Sequence, residues 1–338
     1  MRIGLIAPPW TPIPPPLYGG IELVVDQLAR GFQNAGHEVT LFTTGDSTCP
    51  VPRRFVLPVA EGERIGMAVP EIRHVLHAYE AVAGNDIVHD HTVMGPVYSE
   101  RFANLPVVTT IHGPFNEELS DIYRAVTPRV HLVCISHSQA SSAGEIPVSR
   151  VIHHGLDVEG FPFGNGQGGY CLFIGRMAPT KGAHRALAVA RKAGIALKLI
   201  GKMREPWEFE YYEDQVRPHL GADAEYLGEV PHEEKIELLG NASALLFPIR
   251  WDEPFGMVML EALACGTPVL AFPEGSVPEV VRDGVTGFIC ADEAEMVEAL
   301  GRLGSLDRRD CRAAVEGYFS TSRMVEEHLE LFSQILDR

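Results

Sequence analysis

Two cations open the second half of the chain at positions that suit a phosphate group. Arg176 follows the apolar run Tyr170–Ile174, which predicts a buried strand, and Lys181 precedes a helical pattern that starts after Gly182. Ligands of open α/β sheets bind beyond the carboxyl ends of the strands, where helix N-termini favour anions. Arg176 and Lys181 are therefore candidates to clamp a diphosphate. The alternative is a pair of solvated surface cations.

Two carboxylates, Glu253 and Glu261, border an apolar segment further along (PIRWDEPFGMVMLE, Pro248–Glu261), which leaves a predicted strand and enters a helix at Pro254 or just after. Eight helical residues would place Glu261 on the order of 12 Å beyond Glu253, near the same face. Glycosidase acid pairs are roughly 5 to 9.5 Å apart, so this spacing favours two hydroxyl contacts on one long ligand over hydrolysis. A solvent-facing helix with two ordinary glutamates is the alternative. The amides predicted to point at an anion between them are those of Phe255, Gly256, Met257 and Val258.

The first half carries two further candidates. Gly19 and Gly20 lie between a Pro-rich loop and a helical pattern, where paired glycines permit close approach of a phosphate or sugar, or act as a simple hinge. His112 follows the predicted strand Pro106–Ile111 and would either hydrogen-bond a sugar hydroxyl or cap a backbone carbonyl.

A metal site is not expected. The run His89-Asp90-His91 resembles one, yet only the two histidines would share a face of a strand, and no third ligand is identifiable.

Alternating strands and helices must position these residues. The first half reads as strand, helix and strand from Arg2 to Thr44, and further apolar runs predict a doubly wound α/β domain. A Gly-rich segment, Phe161–Gly169, marks a linker, after which a second α/β pattern begins. We predict one Rossmann-like domain in residues 1–160, a second in 161–319 and a terminal amphipathic helix in 320–338.

Composition excludes several other classes of protein. The 338 residues suit two domains, and the net charge of −17 disfavours a nucleic-acid surface. No apolar run reaches the roughly 20 residues that span a bilayer, and the N-terminus lacks signal-peptide features, so we expect a cytoplasmic protein without a transmembrane segment. The six cysteines are scattered and are expected to be buried, reduced thiols.

Several motifs together resemble glycosyltransferase family 4, the retaining nucleotide-sugar enzymes of GT-B fold. They are YGGIE (18–22), DIVHDH (86–91), IHG (111–113), IGRMAPTKG (174–182), GEVPHEEK (228–235), EPFGMVMLEALACGTPV (253–269) and DGVTGF (283–288). The resemblance implies two Rossmann-like domains that face each other across a cleft. It places the nucleotide on the second domain and the acceptor on the first, and it returns the terminal helix to the first. One departure is His154 before Gly155, where many members have Asn.

The resemblance also implies a role for each candidate. Arg176 and Lys181 would bind the diphosphate, Glu253 the donor-sugar hydroxyls and Glu261 the ribose. Val230 would lie beside the base, His112 would contact the sugar and Gly20 would approach the phosphate. Gly256, Met257 and Val258 would offer backbone amides to phosphate or sugar.

The predicted activity is transfer of a hexose from a nucleoside-diphosphate sugar to a small-molecule, glycan or lipid-linked hydroxyl acceptor. We expect UDP-sugars first and GDP-mannose next, front-face displacement with retention, and no cofactor beyond the donor substrate. Two alternatives remain: a nucleotide-sugar-binding protein without turnover, and a hydrolysing epimerase of the same fold.

Overall fold

The computed structural model describes residues 1–17 and 19–337, so Tyr18 of the motif YGGIE lies outside the described residues. The chain divides into two compact units. The first comprises Met1–Gly155 and the segment that starts at Thr321, and the second comprises Leu156–Ser320. The Gly-rich segment around residues 161–169 therefore lies inside the second unit.

The first unit is built on a parallel sheet. Among the described residues its strands are β1 (Arg2–Ile6), β2 (Glu38–Thr43), β3 (Arg53–Phe55), β4 (Ile87–Asp90), β5 (Val107–Thr110), β6 (Val130–Cys134) and β7 (Arg150–Val151). Their order in the sheet is β3-β2-β1-β4-β5-β6-β7. The helices between them are α1 (Gly20–Asn34), α2 (Ala68–Val82), α3 (Gly95–Tyr98), α4 (Glu117–Val126) and α5 (His137–Ser141).

The second unit repeats this architecture. Its described strands are β8 (Tyr170–Ile174), β9 (Ala196–Ile200), β10 (Ala224–Gly228), β11 (Leu245–Phe247), β12 (Val269–Ala271) and β13 (Gly287–Ile289), in the sheet order β10-β9-β8-β11-β12-β13. The helices are α6 (Ala183–Ala193), α7 (Pro206–Tyr211), α8 (His232–Asn241), α9 (Met257–Ala264), α10 (Val277–Val280), α11 (Glu293–Leu300) and α12 (Arg308–Gly317). The two parallel sheets confirm the predicted α/β fold class.

The terminal helix α13 (Thr321–Leu336) belongs to the first unit, as predicted. It packs on α1, where Gly31 lacks the Cβ that would come within 2.3 Å of a Val325 methyl group. Next to this contact, the rings of Phe32 and Phe332 lie 5.5 Å apart. Of the apolar positions that predict this helix, Met324, Val325 and Phe332 are buried, Leu329 is half-buried and Leu336 is exposed.

The remaining features concern thiols and membranes. All six cysteines are buried and free, as predicted, and burial raises the pKa of Cys171 and Cys311 to about 12. Over residues 1–17 and 19–337, no helix combines the length and apolar character needed to cross a bilayer.

Candidate functional site

The order of strands in the second unit reverses beside β8, which pairs with β9 on one side and β11 on the other. Loops that leave neighbouring strands at such a point diverge to opposite faces and open a crevice for ligands. Arg176 and Lys181 follow β8, and Glu253 follows β11. Topology alone therefore brings these three candidates to one edge of the sheet.

The loops after β8 and β11 are tied together by hydrogen bonds from the backbone of Arg250 and the side chain of Arg185. The amide of Arg250 donates to the carbonyl of Thr180 at 2.8 Å, and Arg185 Nε donates to the carbonyl of Pro248 at 2.8 Å. Gly182 makes this approach possible because a Cβ there would lie 2.3 Å from the Pro248 oxygen. These contacts hold Lys181, the residue before Gly182, close to the residues that follow β11.

Lys181, Trp251 and Glu253 form one cluster as a result. The Lys181 ammonium pairs with Glu253 Oε2, and Trp251 Nε1 donates to the same oxygen at 2.9 Å. The Lys181 ammonium also lies 4.4 Å from the centroid of the Trp251 ring, within cation–π range. Only 17% of the Lys181 side chain and 11% of the Glu253 side chain are exposed, so the pair is largely shielded from water.

Arg176 is held by a different carboxylate. Its Nε donates to Glu208 Oε1 at 2.6 Å, and its guanidinium lies 5.5 Å from the Trp207 ring. Burial acts to raise the pKa of Glu208, but the backbone amides of Arg204 and Glu205 and the Arg176 guanidinium outweigh it and leave that pKa lowered. Arg176 itself stays 44% exposed, so its charge is fixed in place yet open to a ligand.

The segment after Glu253 corrects the predicted geometry. Helix α9 begins at Met257, because Gly256 has the left-handed φ of 78° and ends the preceding loop. Glu253 therefore lies in the loop, and the estimate of eight helical residues between the two carboxylates is wrong. The loop is fixed by Ser276, whose amide donates to the Glu253 carbonyl at 3.0 Å and whose hydroxyl donates to the Phe255 carbonyl at 2.7 Å.

The start of α9 offers amides rather than side chains. Phe255 is 2% exposed and Val258 is 6% exposed, so their side chains belong to the core, while Met257 is half-buried. The amides of Met257 and Val258 fall in the first turn, where helix geometry gives an N–H no carbonyl partner in its own helix. These residues are therefore placed to hold an anion through the backbone.

Glu261 pairs with a residue that we did not predict. Its Oε1 accepts from the Lys235 ammonium at 2.6 Å, and both side chains are nearly buried, 6% exposed for Glu261 and 11% for Lys235. Lys235 lies on α8, and Val230 is buried in the connection that precedes this helix. Glu261 thus has a partner of its own, apart from the Glu253 cluster.

The glycine pair stands at the start of α1 in the first unit. Gly20 is the first helical residue and Gly19 precedes it. A Cβ on Gly19 would lie 2.7 Å from Pro15 Cβ and 2.8 Å from a Glu22 carboxylate oxygen, so a side chain would not fit without a shift. Position 19 therefore has no room for a side chain beside Pro15 and Glu22.

His112 belongs to a row of histidines in the first unit. Its Nε2 lies 2.8 Å from His91 Nδ1, and its ring stacks on His154 at 5.4 Å. The His89 ring lies 4.2 Å from that of His91 and 4.9 Å from that of His328. Burial and then His328 lower the pKa of His112 to about 3, so the imidazole is neutral and acts through hydrogen bonds. In the described part of the chain, no set of three metal-ligand atoms gathers around His89, Asp90 or His91.

Three residues of this arrangement escaped prediction: Glu208, Lys235 and Trp251. Lys235 lies in the GEVPHEEK motif and Trp251 stands two residues before Glu253, so proximity to a motif was an available signal for both. Glu208 carries no such signal, because its partner Arg176 is distant in sequence.

Comparison with known proteins covers both units. The glycosyltransferase family 4 model matches residues 18–159, and the model for glycosyl transferases group 1 matches residues 163–314. The chain is 27% identical to the glycogen synthase of Mycobacterium tuberculosis, over 86% of this chain and 82% of that protein. It is also 27% identical to the phosphatidyl-myo-inositol mannosyltransferase of Mycolicibacterium smegmatis, over 93% of this chain and 86% of that protein.

Among solved structures, HepE of Anabaena in complex with UDP-glucose superposes with a TM-score of 0.78 at 16% identity, over 99% of this chain and all of that one. Such a likeness establishes the shared fold, which here is GT-B with two Rossmann-like domains. The two family models leave little of the chain unmatched. This chain therefore belongs to glycosyltransferase family 4.

Proposed function

We propose that this glycosyltransferase moves a hexosyl group from a nucleoside-diphosphate hexose to a hydroxyl acceptor with retention of configuration. The observation that carries the proposal is the Lys181–Glu253 pair at the point where the strand order of the second unit reverses. A cation and a carboxylate placed together suit the two adjoining parts of such a donor, its diphosphate and its sugar hydroxyls.

The proposed chemistry breaks the bond between the anomeric carbon and the diphosphate oxygen. The electron pair of that bond leaves with the diphosphate, whose growing negative charge is stabilised by Lys181, Arg176 and the first-turn amides of α9. The acceptor oxygen attacks the same face of the sugar, and its proton passes to the departing phosphate oxygen. Glu253 is bonded to Lys181 and Trp251, which suits a hydroxyl contact better than a nucleophile.

The remaining candidates extend along the donor. We assign Glu261 to the ribose hydroxyls and Val230 to the side of the base. The backbone of Phe255, Gly256, Met257 and Val258 is assigned to the phosphate and sugar. We also assign Gly19, Gly20 and His112, in the first unit, to the donor phosphate and sugar, and the acceptor to that unit.

UDP-glucose is the first donor to test. HepE has been solved with UDP-glucose, and the names of the two relatives imply glucosyl and mannosyl transfer. GDP-mannose is therefore the second donor. The acceptor is a small-molecule, glycan or lipid-linked hydroxyl group.

A thermal-shift panel with UDP-glucose, GDP-mannose and ADP-glucose tests donor binding. A ligand present at 100 times its Kd stabilises the native state by about 2.7 kcal/mol, so a true donor raises the melting temperature by several degrees. Lys181→Ala should weaken donor binding by about tenfold or more, because it removes a charge-assisted bond. Lys192→Ala removes an exposed lysine of α6 and is the matched control.

Turnover separates the proposal from its alternatives. Incubation with the stabilising donor and a panel of glycoside acceptors should yield an α-linked product from an α-linked donor, detected by NMR of the anomeric proton. A β-linked product contradicts retention. Donor binding with no transfer to any acceptor favours a non-catalytic binding protein, and release of free nucleoside diphosphate without an acceptor favours a hydrolase or epimerase.

A further inference from the structure

Trp251 touches both members of the central ion pair. Its indole N–H donates to Glu253 Oε2 at 2.9 Å, and its ring faces the Lys181 ammonium at 4.4 Å. Trp251 is half-buried, so it shields the pair without closing it off from a ligand. An aromatic ring that only filled space would need neither contact.

Both contacts of the Glu253 carboxylate converge on one oxygen. Lys181 and Trp251 bond to Oε2, and no group in residues 1–17 or 19–337 forms a hydrogen bond with Oε1. The carboxylate is therefore held by one oxygen, with the other available to accept from a hydroxyl group. An indole nitrogen donates and never accepts, so Trp251 can contact this carboxylate only as a donor to one of its oxygens.

Donor binding makes the indole contact more important. The Lys181 ammonium, if it turns to the diphosphate, leaves Glu253 Oε2 with the Trp251 N–H as its remaining protein donor. A shielded carboxylate that lost both donors would be free to rotate and would have an uncompensated charge.

We propose that Trp251 is a positioning residue of the donor-sugar site, which orients Glu253 so that Oε1 receives a sugar hydroxyl. The inference rests on the proposed function, in which Glu253 binds the donor sugar and Lys181 binds the diphosphate. It assigns to the indole N–H of Trp251 an effect on the sugar part of the donor and none on the nucleotide part.

Trp251→Phe in the full chain isolates this effect, since it keeps an aromatic ring beside Lys181 and removes the N–H. We measure binding of UDP and of UDP-glucose by calorimetry, and kcat and KM for UDP-glucose. We expect the Trp251→Phe protein to bind UDP with an affinity within about twofold of wild type. The ratio of its affinity for UDP-glucose to its affinity for UDP should fall by about tenfold. The KM for UDP-glucose rises accordingly. Trp207→Phe, next to Arg176, is the matched control and should keep the wild-type ratio of UDP-glucose to UDP affinity.

A double substitution tests whether Trp251 acts through Glu253. With Glu253→Ala already present, Trp251→Phe should cause no further loss of the glucose-dependent affinity, because the group it orients is gone. The inference is overturned if the two substitutions cause additive losses of affinity. It is also overturned if Trp251→Phe weakens UDP and UDP-glucose equally, or if the Trp251→Phe protein matches wild type. Each of these outcomes leaves the proposed function standing. Wild-type protein that binds neither UDP nor UDP-glucose would overturn the proposed UDP-sugar donor together with it.

Discussion

Each carboxylate of the candidate donor site has a cationic partner in the second unit. Glu208 holds Arg176, Glu253 holds Lys181 and Glu261 holds Lys235. In each pair the cation and the carboxylate compensate each other within the second unit. If Arg176 and Lys181 bind a diphosphate, as proposed, that ligand competes with Glu208 and Glu253 for the two cations.

The Lys235–Glu261 pair gives a stability prediction. Lys235→Met leaves the Glu261 carboxylate buried without its cation, which should cost about 3 to 5 kcal/mol of the free energy of unfolding. The added substitution Glu261→Leu should recover most of this loss, because two apolar side chains replace a buried ion pair with little net cost. Urea denaturation of the single and double variants measures both values.

The exposed pair Arg217–Glu213 provides the control for that measurement. Its side chains are 64% and 52% exposed, and Arg217→Met should leave the urea midpoint close to wild type. A Lys235→Met protein as stable as the Arg217→Met protein would contradict the importance of burial for the Lys235–Glu261 pair.

At the scale of single residues, the sequence identified most of the charged side chains of the candidate site but not which of them pair. Lys181 and Glu253 were each identified because they border motifs, but they are 72 residues apart and their pairing depends on the loops that meet in the folded unit. Trp251 escaped because one half-buried tryptophan in a loop carries no periodic signal. Side-chain partners follow from three-dimensional proximity, which spacing along a chain does not encode.

At the scale of elements, the start of α9 decides where Glu253 lies. Gly256 has a φ of 78°, and the loop before it is held by hydrogen bonds from Ser276. The sequence suggested a helix from Pro254, because proline suits a first turn. The left-handed glycine prevails, since a helix cannot continue through that conformation.

Gly256→Ala should therefore cost about 1 to 2 kcal/mol of stability and weaken donor binding. An alanine Cβ would lie 2.9 Å from Met259 Cε and 3.4 Å from Glu253 Cγ, in addition to the strained backbone. Gly317→Ala is the control, because that glycine lies in α12 with nothing within 4 Å of the added Cβ. Urea denaturation and UDP-glucose calorimetry should show losses for Gly256→Ala alone; equal results for both variants would contradict the role of Gly256.

Elements near the centre of the second sheet were predicted well, because β8 is a wholly buried apolar run and α6 has one apolar face at helical spacing. The sequence predicts strands over Tyr170–Ile174 and Ala196–Ile200 and a helix over Ala183–Ala193, and β8, β9 and α6 have these bounds. Strands β3, β7, β10 and β13 were not predicted. They form the edges of the two sheets, and β3 is wholly exposed. Such strands are defined by their neighbours rather than by their own composition.

At the scale of the whole molecule, the first unit holds His89, His91, His112 and His328 between β4, β5 and the terminal helix, and all but the half-buried His112 are buried. Burial lowers the pKa of His328 to about 4 and of His112 to about 3, and it places the pKa of His89 and His91 well below the usual value. This cluster joins the sheet to α13, which is the element that returns to the first unit. Protonation of these imidazoles would therefore destabilise the packing of α13 on the sheet of the first unit.

Acid should destabilise the first unit for this reason. A histidine titrates near pH 6.5 in the unfolded chain. Below that pH the unfolded state binds a proton that the folded state, with its lowered pKa, does not bind. Each such group contributes stability above pH 6.5 and loses about 2 kcal/mol of it by pH 5. Buried Asp90 acts in the opposite direction, because burial raises its pKa to about 6, but it is a single group against several.

His154→Asn tests this account directly, since burial and then His112 hold the pKa of His154 well below its usual value. Removing that imidazole should make the fall in the free energy of unfolding between pH 7.5 and pH 5 smaller by about 2 kcal/mol. His77→Asn, which removes an exposed histidine, is the matched control. Urea denaturation at the two pH values measures the slopes. If the His154→Asn protein loses as much stability as the His77→Asn protein on acidification, the buried histidines do not set the acid limit, and carboxylates elsewhere in the molecule must account for it.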